Sequence, residues 1–177
     1  MTVFVALLRA INVGGTGMLP MKELAILCTE LGFNHVRTYI QSGNVIFDSP
    51  LGKDLVTQEL AQALGKKMGK PVDVLLRTAA ELRAILKANP FPDAEPSKVA
   101  VVFCSANLPK DWLELLRIPG KEEVEPGKKE IYIHYPEGMG RSKLKLPPST
   151  GVATVRNINT VTKLLALAVS QALHEST

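Results

Sequence analysis

Apolar positions along this chain change their period from segment to segment, and each period points to an element. Residues 3–8 are an unbroken apolar run, β-branched first and leucine-rich after, which predicts a buried strand. Met21, Leu24, Cys28 and Leu31 recur at helical spacing behind Pro20, and Gly32 closes that segment in the manner of a C-terminal cap. Residues 36–40 and 45–47 flank Gln41-Ser42-Gly43-Asn44, the composition of a hairpin turn. A second helix follows Ser49-Pro50 with Val56, Leu60, Ala63, Leu64 and Met68 on its apolar face and Gly69 at its end. Residues 72–76 make a fourth strand.

The order β-α-β-β-α-β is that of the split βαβ, or ferredoxin-like, unit. Thr78-Ala79-Ala80-Glu81 has the spacing of a capping box and opens a connecting helix with Leu82, Ile85 and Leu86 inward. Residues 89–97 are proline-rich and read as a linker. Beyond them the pattern returns more loosely. It predicts strands over 99–104, 131–135 and 152–155, an edge strand over 122–125, and short helices over 110–117 and 138–146. A final helix is expected to bury Val161, Leu164, Leu165, Ala168 and Ala172. The expected fold is α+β, with two tandem ferredoxin-like subdomains over residues 1–77 and 98–177. Residues 78–97 form the connecting helix and linker, and the C-terminal helix belongs to the second subdomain.

Hydrophobic residues at 46 % and charged residues at 21 % place the chain among folded globular proteins. No apolar run nears the ~20 residues of a bilayer span, and the start carries no basic leader, so the expected location is the cytoplasm. The net charge of +4 is held unevenly. Residues 128–163 carry seven basic and two acidic side chains, whereas the rest carries fourteen basic and fifteen acidic. That imbalance favours an anionic partner for this stretch, although it lacks the interleaved aromatics of single-strand nucleic-acid binders. Cys28 and Cys104 fall on apolar faces and read as small buried hydrophobes. His35, His134 and His174 are dispersed without metal-ligand spacing, so neither metal nor cofactor is expected.

In a split βαβ unit the end of the first strand, the start of the first helix and the hairpin turn share one sheet edge. This gathers Arg9, Asn12, Gly14, Gly15, Tyr39, Gln41, Ser42 and Asn44 into one polar wall. Glycines there let backbone N–H groups approach a phosphate beside a helix start, and a strand-to-helix turn needing positive φ is the plainer reading of them. The third glycine of a dinucleotide fingerprint and the lysine of a P-loop are missing. Ser42 lacks the surroundings of a nucleophile. The same topology in the second half sets Arg141, Ser142 and Lys143 beside Arg156, Asn157, Asn159, Thr160 and Lys163. Asn157 or Asn159 caps the final helix, and Arg156 meets an anion held by its first-turn amides. A capped helix with a surface arginine is the plainer reading of those residues.

The blocks Arg9-Ala10-Ile11-Asn12-Val13-Gly14-Gly15 and Tyr39-Ile40-Gln41-Ser42-Gly43-Asn44, with Ser142-Lys143-Leu144 and Thr154-Val155-Arg156-Asn157-Ile158-Asn159-Thr160, resemble the bacterial family called domain of unknown function 1697. The resemblance covers nearly the whole chain. It implies two ferredoxin-like subdomains and no established activity. Ala10 stands where the family typically has glycine, Ile158 where it has tryptophan, and Pro147-Pro148 where a longer helix runs. The expected function is binding of an anionic ligand at the polar edges: a nucleotide, a phosphometabolite or a nucleic-acid backbone, with no membrane partner. A metal-free, non-covalent enzyme acting on such a ligand, with Tyr39, Lys143 or Lys163 as titrating group, and a protein-interaction module are the alternatives.

Overall fold

The computed structural model describes residues 1–9, 19–40 and 43–175. It is an α+β protein, with two four-stranded antiparallel sheets and five α-helices among the described residues. The chain divides into two compact units, Met1–Arg83 with Leu164–Thr177, and Ala84–Lys163.

The first unit contains β1 (Thr2–Leu8), α1 (Met21–Glu30), β2 (Asn34–Tyr39), β3 (Asn44–Ser49), α2 (Lys53–Met68) and β4 (Val74–Thr78), with strand order β2-β3-β1-β4. Strand parity splits its side chains into two sets. Phe4, Ala6 and Leu8 of β1, Val45 and Phe47 of β3, and Val74 and Leu76 of β4 join Leu24 and Cys28 of α1 and Val56, Leu60 and Leu64 of α2 in one buried cluster. The opposite parity carries Val5, Ile46 and Leu75 but also His35, Arg37, Asp48 and Arg77. Helix α1 ends as its sequence predicts. Gly32 has φ +87°, its N–H reaches the carbonyl of Thr29, and Phe33 N–H reaches that of Cys28, the paired bonds of a Schellman cap. The capping box of α3 (Ala79–Lys87) also forms: Thr78 Oγ1 accepts from the Glu81 amide and Glu81 Oε1 accepts from the Thr78 amide, both at 3.2 Å.

The second unit contains β5 (Val99–Cys104), α4 (Trp112–Leu115), β6 (Glu123–Pro126), β7 (Glu130–His134) and β8 (Ala153–Asn157), ordered β6-β7-β5-β8. The helix expected over 138–146 does not form. A single 3-10 turn, Met139–Arg141, takes its place, and the following segment is extended. Leu144 and Leu146 alternate with exposed Lys143 and Lys145 and pack on the core of Ala100, Val102, Trp112 and Ile131. A period of two is the signature of an extended segment, and Pro147 holds the residue before it out of helical geometry.

Helix α5 (Ile158–Glu175) buries Val161, Leu164 and Ala168 as predicted. Leu165 is only half-buried and Ala172 is exposed, while polar Gln171 is buried. From Leu164 onward α5 belongs to the first unit rather than the second. Arg37 Nη2 donates to the carbonyl of Leu167 at 2.7 Å, and Gln171 Nε2 donates to Asp48. The apolar period alone could not show which unit receives this helix.

Both cysteines are buried thiols. Burial pushes the Cys28 thiol up to about 12. The native protein at pH 8 therefore holds roughly a thousandfold less Cys28 thiolate than an exposed thiol would. Iodoacetamide followed by peptide mass spectrometry is expected to leave Cys28 unlabelled until urea unfolds the chain. Rapid native labelling would contradict that.

Candidate functional site

The first polar edge assembles from strand ends. Leu8 N–H donates to the Gly43 carbonyl at 2.9 Å, and Arg9 N–H donates to the Asp73 carbonyl at 3.0 Å. The end of β1 is thereby held between the β2–β3 turn and the approach to β4. The Arg9 side chain pairs with Asp73 at 3.2 Å, both about half exposed. Tyr39 is half-buried at the end of β2. Ile40 follows it with φ +50° and is largely exposed. Such a dihedral is unusual for a β-branched residue, and strained backbone of this kind collects at functional sites. Asn44 differs from a ligand-facing residue: it is fully buried and its Nδ2 donates to the Tyr39 carbonyl at 3.0 Å, closing the hairpin. Asn12, Gly14, Gly15, Gln41 and Ser42 lie outside the described residues.

The second edge departs further from expectation. Arg156 is 6 % exposed, so it does not meet solvent as a surface arginine. Its Nη1 donates to Thr154 Oγ1 at 2.7 Å and to the Val155 carbonyl at 2.9 Å, and burial lowers its pKa to about 10. Arg77 holds the matching place in β4, opposite Val5 as Arg156 is opposite Val101. It too is buried and donates to the carbonyl before it, at 3.0 Å. Each of these arginines stands one residue before the end of its strand. The repeated placement marks them as parts of the sheet rather than of an exposed anion site.

Asn157 uses its carboxamide within its own unit, accepting from the Asn159 amide at 2.7 Å and donating to the Ser97 carbonyl at 2.9 Å. Thr160 is half-buried, and Asn159 and Lys163 are exposed. The ends of β7 and β8 flank the start of β5, with His134 opposite Val99 and Asn157 opposite Ala100. Ser142, however, turns to Glu122, donating to its carboxylate at 2.6 Å. That bond holds the Glu122 carboxyl below its ordinary range. Arg141 lines a small cleft with Glu122, Tyr135 and Ser142, and Lys143 is exposed.

A third arrangement, on β2, β3 and α5, has no counterpart in the sequence motifs. Asp48 is completely buried, and its Oδ2 lies 2.6 Å from His35 Nδ1 while Oδ1 receives Gln171 Nε2. Gln171 Oε1 accepts from Arg37 Nε at 3.2 Å. His35, Val36, Arg37, Gln171 and His174 line a groove of about 390 Å³. No regular alternation along β2 points to it, because β2 is interrupted. Asn34 pairs with Asp48 and Arg37 with Ile46, leaving His35 and Val36 opposite Phe47 alone. This bulge, with φ +51° at His35, re-aims the imidazole. Among the described residues no three His, Cys, Asp or Glu side chains stand together as a metal site, and no helix is long and apolar enough to cross a membrane.

Comparison with known proteins agrees with the α+β architecture. The chain is similar to the solved structure of the conserved bacterial protein SP0830 from Streptococcus pneumoniae, with a TM-score of 0.78 and 26 % identity. The similarity covers 94 % of this chain and 98 % of the other. No curated protein matches it significantly. Residues 1–132 match the model described as "Protein of unknown function (DUF1697)", and the chain belongs to that family.

Proposed function

We propose that this protein binds an anionic ligand at the edge of the first sheet where β1, the β2–β3 turn and the start of β4 converge, with Arg9 as its principal cation. Each half is read as a ferredoxin-like unit acting in the cytoplasm, and the ligand as a nucleotide, a phosphometabolite or a nucleic-acid backbone. The supporting observation is the position of Arg9. Its backbone is pinned to Asp73, its guanidinium is about half exposed, and only Nη1 is engaged by protein among the described residues. Nε and Nη2 remain for a planar, two-pronged contact with an oxyanion. Asn12, Gly14, Gly15, Gln41 and Ser42 are assigned to this site by their place in the chain beside Arg9 and Gly43. Arg141, Lys143 and Lys163 supply cationic surface in the second half.

A thermal-shift series with nucleotides, phosphometabolites and short nucleic acids tests the assignment. A ligand at ~100 times its Kd adds about 2.7 kcal/mol, a shift of several degrees for a chain of this size. Arg9→Ala is expected to remove most of that shift and to change the unliganded protein by about 1 kcal/mol or less, since the Asp73 pair is exposed. A shift that keeps its size in Arg9→Ala, or none in the native protein, would refute this site. A steep fall of the shift with salt would identify nucleic acid rather than a small phosphate.

A further inference from the structure

We infer that the groove on β2, β3 and α5 is a second, separate binding site, built for a small phosphate monoester. The inference goes beyond the Arg9 edge and does not depend on it: Arg9 lies at the Asn44 end of β3, while the groove lies at the Asp48 end.

The groove is organised from behind by one buried carboxylate. A carboxylate only accepts hydrogen bonds, so the 2.6 Å contact fixes the proton of His35 on Nδ1 and leaves Nε2 as the working nitrogen of the neutral ring. The same logic orients Gln171. Its Nε2 must face Asp48 Oδ1, which turns Oε1 to receive Arg37 Nε. Arg37 is fixed at a second point by Nη2 on the Leu167 carbonyl, and its Nη1 has no protein acceptor among the described residues. His35 Nε2 likewise meets no protein partner among them. The His35 side chain is 65 % exposed, against 0 % for Asp48. An exposed base and a guanidinium edge are thus held in place before any ligand arrives, which removes part of the ordering cost of binding.

Phosphate monoesters suit that pair. Near neutral pH they exchange between a monoanion and a dianion, with a second pKa of about 6. The monoanion donates its O–H to imidazole Nε2 while its other oxygens accept from Arg37. The dianion accepts from the imidazolium N–H and from Arg37. A sulfate monoester has no proton to give at this pH and satisfies only the second arrangement. Val36 and the ring of His174 provide walls for the organic part, in a groove of about 390 Å³, a volume suited to a small molecule.

Modification of the full-length protein by diethyl pyrocarbonate, read residue by residue with peptide mass spectrometry, tests this. Phenyl phosphate at ~10 times its Kd is expected to slow modification of His35 about tenfold, because only the unliganded fraction reacts. Phenyl sulfate is expected to protect much less. His134, bonded to Glu123 in the other unit, serves as the reference whose rate stays constant. Arg37→Gln is expected to abolish protection. Should that variant fold poorly, titration of the native His35 ring resonances with phenyl phosphate gives the same answer. Unprotected His35 at millimolar phenyl phosphate, or equal protection by phenyl sulfate, would overturn the phosphate monoester assignment.

Discussion

Replacing Asp48 by Ala is expected to lower the unfolding free energy by about 3–5 kcal/mol, near the upper end for a single substitution. The side chain has no exposure, and both of its oxygens are engaged. Its loss strands the Gln171 Nε2 donor in a buried position, at a cost of about 1–3 kcal/mol. It also releases His35 from the contact that faces its left-handed backbone, a conformation that itself costs about 1–3 kcal/mol. Gln171 then no longer holds Arg37, so the hold of α5 on β2 loosens as well. Asp48→Asn keeps the volume and can satisfy one of the two donors, but turns an N–H against the other. It should lose about half as much. Urea unfolding followed by circular dichroism measures both variants. An Asp48→Ala protein within about 1 kcal/mol of native stability would show that the carboxylate is not the keystone of this network.

Asp48 also shows where the sequence is legible and where it is not. Local rules carried far. Gly32 as a left-handed cap and the Thr78–Glu81 capping box follow from residues within one turn of each other, and both form, while α2 buries Val56, Leu60 and Leu64 with Met68 packed beside them and Ala61 in place of Ala63. The approach of the β1 end to Gly43 follows from topology instead. Strand order places the end of β1 against the β2–β3 turn wherever the side chains point.

What could not be read depends on partners distant in the chain. Asp48 and Gln171 are separated by 123 positions, and nothing in the pattern of α5 says that a buried glutamine rather than Ala172 faces β3. The burial of Arg156 depends on distant partners in the same way. A basic residue just before a helix looks like an anion contact, yet sheet parity turns it into the same buried position as Arg77. The helix expected over 138–146 fails for a local reason instead, since Leu144 and Leu146 alternate with Lys143 and Lys145 in an extended segment.

Trp112→Ala is the second large effect, expected to cost about 3–5 kcal/mol. Helix α4 has only four residues, and a helix that short has no stability of its own. What fixes it is the indole, 1 % exposed in the cluster of Ala100, Val102, Ile131 and Ile133, with its Nε1–H donated to Thr150 Oγ1 at 2.8 Å. The effect divides into a packing part and a polar part. Trp112→Phe keeps most of the ring and loses the donor, leaving buried Thr150 without it, for about 1–3 kcal/mol. Thr150→Val removes the acceptor and strands the indole N–H, with a cost of the same order. The double variant leaves neither group unpaired, so it should lose clearly less than the two single losses combined, by about 1 kcal/mol or more. Urea unfolding by far-ultraviolet circular dichroism on the four proteins closes this cycle. Strict additivity would mean that the hydrogen bond contributes nothing and that ring volume alone anchors α4; a shortfall of the expected size would make Thr150, far along the chain, the residue that sets the orientation of the indole.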